Sequence, residues 1–76
     1  MSLRKAWQPL TRSTVGAAPD AYGLIEFGDG EGTVLRATAG FVPDELREEL
    51  AYGDADAVRW KRAQSQSHAE RLLDER

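Results

Sequence analysis

The chain contains no cysteine, which excludes disulfides and thiolate metal sites. Its one histidine, His68, leaves any zinc site dependent on carboxylates or on a second chain. No apolar run approaches the ~18 residues of a membrane span, and no signal-peptide core follows Met1. The expectation is a cytoplasmic chain that makes no membrane contact. Large aliphatic side chains are few, and neither an internal repeat nor a low-complexity tract is present. The 76 residues allow one domain with one thin core, for which self-association is a natural support.

What the chain does have is charge, unevenly placed. Residues 1–22 carry a net +2, residues 23–56 a net −7 and residues 57–76 a net +2. An acidic middle between basic ends is a poor general footprint for nucleic acid, where phosphates reward a concentrated basic patch. It suits pairing between copies of the chain. Eight arginines against two lysines, with abundant acids, give a halophile-like composition that fits a GC-rich or salt-adapted source.

Residues 1–21 read as a partly helical lead-in. Leu3, Trp7 and Leu10 have roughly helical spacing, but Pro9 interrupts a long helix. Ser13 is placed to cap a short turn that ends before Pro19. Trp7 has enough area to fold back as an anchor on the core. Residues 22–76 then form a single ββαβα domain.

The first strand covers residues 22–27, with Tyr22 and Leu24 on one face and Gly23, Ile25 and Phe27 on the other. Gly28-Asp29-Gly30-Glu31-Gly32 supplies three glycines for a hairpin turn. No Lys-Ser/Thr and no helix follow it, so it is not a phosphate loop. A second strand covers residues 33–39 and is broken by Gly40. Pro43 opens a helix with Asp44 and Glu45 at its positive end. Leu46 and Leu50 form that helix's buried stripe, and Gly53 ends it.

A third strand covers residues 57–63. Val58 and Trp60 alternate there with Arg59 and Lys61, which separates an apolar from a basic face. Ser65 or Ser67 caps the last helix, whose stripe is Ala69, Leu72 and Leu73. The end, residues 74–76, is expected to fray. The fold class is α+β: a three-stranded antiparallel or mixed sheet in the order 2-1-3 with flanking helices.

This layout resembles the GIY-YIG nucleases. Gly23-Leu24-Ile25 stands at the first motif and Arg36-Ala37-Thr38 at the second. Leu46-Arg47-Glu48-Glu49-Leu50 is similar to that family's arginine helix. Residues 58–73 are similar to its third strand, Ser-capped turn and glutamate helix. The chain is also similar to short uncharacterised haloarchaeal proteins of this type. The resemblance places the family's two tyrosines at Ile25 and Arg36, and its metal-binding glutamate at Leu73 with Glu70 one turn away. Phosphodiester cleavage needs an activated nucleophile and stabilisation of developing charge. With two phenols and the metal carboxylate replaced, no catalytic, cofactor or metal residue is assigned, and the chain is not expected to be an enzyme.

Three readings follow. The first is a non-catalytic interaction or scaffold module whose partner is a second copy or another protein. The second is weak nucleic-acid binding through Arg36, Arg47, Arg59, Lys61 and Arg62. The third is a metal-dependent endonuclease that uses Glu70. Other candidates have plainer explanations. His68 near a helix start caps or meets solvent, Asp54 and Asp56 sit in a solvated acidic loop, and Trp60 alternates into the core.

Overall fold

The structure is a computed structural model and describes residues 3–76. A two-residue strand β1 (Gln8–Pro9) precedes helix α1 (Arg12–Ala17). Strands β2 (Tyr22–Gly28) and β3 (Val34–Phe41) form a hairpin, and α2 (Val42–Tyr52) follows at once. Strand β4 (Ala57–Arg62) and α3 (Gln66–Glu75) complete the chain.

The sheet has four strands in the order β1-β4-β2-β3, and every adjacent pair is antiparallel. The three long strands keep the expected order, with β2 central. The expected three-stranded sheet gains a fourth member because the lead-in supplies an edge. Gln8 pairs with Val58 and Pro9 with Ala57, and the Leu10 N–H continues the contact by donating to the Asp56 carbonyl at 2.9 Å. An outer edge is where a proline, lacking its N–H, is tolerated.

Helices cover both faces of the sheet. On one, Ile25, Phe27 and Val58 pack with Val42 and Leu46 of α2 and with Leu10, all buried. Each fully buried side chain of this kind contributes roughly 1.5–3 kcal/mol. Val15, Ala18 and Trp60 pack against this cluster. On the other face α3 lies across β2 and β3, covering Leu24 with Ala69 buried beneath it. Because β2 is buried on both sides, Leu24 and Glu26 are as enclosed as Ile25 and Phe27.

Several local expectations change. Gly40 does not break β3; it pairs with Gly23 inside the ladder, where Glu45 of α2 packs over the space a side chain would take. Leu50 is exposed rather than part of the α2 stripe. The stripe runs through Val42, Leu46 and Glu49 instead, because α2 turns its i, i+3 and i+4 positions toward the sheet. Of the hairpin glycines only Gly32 takes a positive φ, 87°. Asp29 closes the rest of the turn, its carboxylate accepting the N–H groups of Glu31 and Thr33 at 2.9 Å each.

Thr11, not Ser13, caps α1 by accepting the Thr14 N–H. Ser65, not Ser67, caps α3 through the His68 N–H. The chain end does not fray: α3 continues to Glu75, and Arg76 is tied to Glu26 by an ion pair of 2.6 Å.

Candidate functional site

Two buried carboxylates, one on each face of the sheet, organise the polar chemistry. Glu26 sits in the middle of β2 with no solvent exposure. Its Oε1 accepts from Arg59 Nε at 2.7 Å and from the Leu3 N–H at 3.2 Å. Its Oε2 accepts from Arg76 Nη2 at 2.6 Å and Nε at 3.0 Å. Burial by itself raises this carboxyl. The Arg76 and Arg59 hydrogen bonds, the Arg59 charge and the Leu3 N–H outweigh it and hold the group below its ordinary value.

Arg59 does more than neutralise Glu26. Its guanidinium stacks over the Trp7 ring, 4.0 Å from the centroid, and its Nη1 donates to the Lys5 carbonyl at 3.1 Å. Trp7 reaches this place because Gly28 offers no Cβ, which would lie 2.7 Å from the indole. Residues 3–7 are thereby strapped across the α3 face. The strap borders an open cleft of about 530 Å³. Leu3, Leu24 and Leu72 provide its apolar surface, and Arg4, Lys5 and Lys61 stand around it with Glu75 and the ion-paired Arg76.

The second carboxylate, Glu49, lies on the α2 face and is also buried. It accepts Arg36 Nε at 3.0 Å and the Ala55 N–H at 3.1 Å, and Arg36 Nη2 lies at 2.8 Å. Burial raises this carboxyl too; the Ala55 N–H and then Arg36, with help from the Asp54 N–H, bring it below its ordinary value. The Arg36 guanidinium stacks on the Phe27 ring at 4.6 Å.

The five arginines and lysines expected to act together are therefore divided. Arg36 is engaged with Glu49 and Phe27 on the α2 face. Arg47 is on exposed α2, paired with Asp44 at 3.1 Å. Arg59 and Lys61 share the α3 face, and Arg62, adjacent in β4, belongs to the opposite one. Arg62 stands beside Tyr22 and Phe41 at the far end of the sheet, where those two rings meet edge-on at 5.4 Å.

The positions that the nuclease resemblance singles out divide between the two faces of the sheet, Ile25 and Arg36 on the α2 side and Glu70 and Leu73 on α3. Ile25 is sealed in the α2-side core. Arg36 pairs with Phe27, two residues along the ladder and on the same face as Ile25. Leu73 and Glu70 are on α3, where Glu70 accepts from Gln66 Nε2 at 3.1 Å. His68 is a local cap, its Nδ1 accepting the Gln64 N–H at 3.0 Å. Among the described residues, no group of three or more His, Asp or Glu side chains comes together to hold a metal.

Sequence reading missed Glu26, Trp7, Arg4, Lys5 and Arg76 as one cluster. The available signal was the charge of Glu26 inside an otherwise apolar central strand, since a buried carboxylate requires partners.

The fold and this site define a small α+β protein with three helices on a four-stranded antiparallel sheet. No helix among the described residues is long and apolar enough to cross a membrane. The chain belongs to the family described as Domain of unknown function (DUF7508), whose match covers residues 1–76. No curated protein and no solved structure matches it.

Proposed function

We propose that this chain is a non-catalytic interaction module of the cytoplasm, built on a GIY-YIG-like layout. One observation carries the reading. Where the resembled nucleases keep reactive groups, this chain has the sealed Ile25 and an arginine, Arg36, engaged by Glu49 and Phe27. Ile25 supplies no nucleophile, and Arg36, though half exposed, already has a carboxylate partner. Removing a single well-placed charge stabiliser typically costs on the order of 100- to 1,000-fold in rate, and here several roles are vacated together.

The partner side of the proposal is a second copy or another protein. Tyr22, Leu35, Leu50 and Tyr52 are large apolar side chains left at the surface of a small chain, and association shields such groups. Nucleic-acid binding through all five predicted basic residues has less support, because Arg36 and Arg47 have carboxylate partners away from Arg59 and Lys61.

Two measurements test the reading. Duplex DNA incubated with the protein and magnesium or manganese is expected to remain intact; cleavage that disappears in Glu70→Gln would overturn the non-catalytic assignment. Sedimentation velocity at rising concentration is expected to show reversible association. A strict monomer at high micromolar concentration, with no protein retained from an extract of its own cells, would overturn the interaction role.

A further inference from the structure

The α3-face cleft has a charge unlike the rest of the molecule. Arg4, Lys5 and Lys61 surround it, and none of the three has a carboxylate partner among the described residues. Behind them, Arg59 and Arg76 share the single carboxylate of Glu26. With Glu75 as the other acidic side chain of the lining, five basic side chains face two acidic ones, a side-chain surplus of three positive charges. The whole chain carries −3, so everything outside this cluster carries −6. Such segregation concentrates field in a concave site with low-dielectric walls.

The lining sets a second condition. The cleft is an open groove of about 530 Å³, similar in size to others on the molecule, so its lining rather than its volume sets it apart. Leu3, Leu24 and Leu72 give it an apolar surface beneath the cations. A ligand that satisfies both parts is compact, multiply anionic at one end and apolar at the other. Carboxylates bring one charge each, whereas a phosphate monoester brings about −1.5 to −2 at neutral pH. Long polyanions are disfavoured, because beyond the cleft they run onto an acidic surface.

We infer that the cleft between the residue 3–7 strap, β4 and α3 binds a small phosphate ester, with Arg4, Lys5 and Lys61 on the phosphate and Leu3 and Leu72 against the apolar body. The strap is part of the site: Glu26 holds it through the Leu3 N–H, and Arg59 holds it through the Lys5 carbonyl and Trp7. Binding accordingly weakens with added salt, since the cations stand at the surface. This inference is independent of self-association and of the nuclease resemblance.

The test is an amide chemical-shift titration of the full chain at low salt, with ATP, inorganic pyrophosphate and a short DNA duplex as separate probes. ATP is expected to give saturable shifts centred on Leu3, Lys5, Lys61 and Leu72, with weaker binding of pyrophosphate. Lys61→Glu combined with Lys5→Glu is expected to weaken ATP at least about tenfold, a loss of ~1.4 kcal/mol. Lys61→Arg is expected to retain binding, and Arg47→Glu on the other face to leave it unchanged. The charge-reversal spectrum, dispersed like the parent's, separates lost binding from lost folding; Lys61→Met serves if it does not disperse. No saturable shift with ATP would overturn the inference. Equal affinity for pyrophosphate would remove the apolar contact and overturn the ester assignment. Tighter binding of the duplex, with shifts spread over both faces, would replace it with nucleic-acid binding.

Discussion

Glu26 and Glu49 are both buried and both answered by arginine, yet the two faces of the sheet use them differently. Glu49 joins neighbours. It links the C-terminal turn of α2 to the loop before β4 through the Ala55 N–H, and to the adjacent strand through Arg36, itself half exposed. Glu26 joins ends. Its partners are Leu3, Arg59 and Arg76, which lie at the two extremes of the chain and on β4. Losing Glu49 frees a loop, whereas losing Glu26 frees both the strap and the end of α3. The same pairing chemistry thus serves local closure on one face and long-range closure on the other. Only the second arrangement leaves a cleft with surplus positive charge.

Substitution separates the two most sharply. Glu26→Ala removes the carboxylate that holds two arginines, and breaking a buried pair in this way costs about 3–5 kcal/mol. The urea midpoint should fall accordingly, and amide exchange should rise together in residues 3–7 and at the end of α3. A change confined to β2 would break the comparison. Glu49→Ala is expected to cost less, about 2 kcal/mol, because Arg36 turns to solvent and the main loss is the partner of one buried N–H. Gly53→Ala is expected to act in the same direction, since its Cβ would fall on the Glu49 carboxylate.

Acid sharpens the contrast further. Both carboxyls are held below their ordinary value of 4.5. A depressed folded pKa contributes stability that is fully present above the unfolded value and is lost as pH falls through the folded one. Unfolding free energy is therefore expected to be level with respect to these groups above about pH 5 and to decline below it. Glu26→Gln should flatten that decline more than Glu49→Gln. Urea titrations at successive pH values measure both slopes, and an unchanged slope in Glu26→Gln would sink the assignment. The smallest effect belongs to the surface: Arg47→Ala breaks the exposed pair with Asp44 and should stay within about 0.5 kcal/mol by the same unfolding assay.

The parts of the fold legible in the sequence are those written in local pattern. Alternation of Val58 and Trp60 with Arg59 and Lys61 marks a strand, Pro43 with Asp44 and Glu45 marks a helix start, and Gly53 marks its end. Each signal needs only a few residues and their backbone preferences. Gly40 misleads for the same reason. A glycine reads locally as a break, but here it is a strand position paired with Gly23, over which the Glu45 side chain packs. Gln8 and Pro9 carry no alternation at all and become a strand because β4 has a free edge.

The candidate site shows the limit more clearly. Lys61 and Arg59 are visible as a basic face of one strand, but Arg4 and Lys5 lie more than fifty residues away. Nothing in their neighbourhood points to β4.

By itself the sequence determined the order of the elements from residue 22 on, the central place of residues 22–28, and the absence of thiol chemistry. These depend on composition and on periodicities of two and 3.6. Tertiary structure alone decided that the lead-in joins the sheet, that Arg36 pairs with Glu49 and that Leu3 and Arg76 meet at Glu26. The physical reason is that a buried charge must be paired. Which arginines pair with it depends on what folding brings within hydrogen-bond reach across the whole chain.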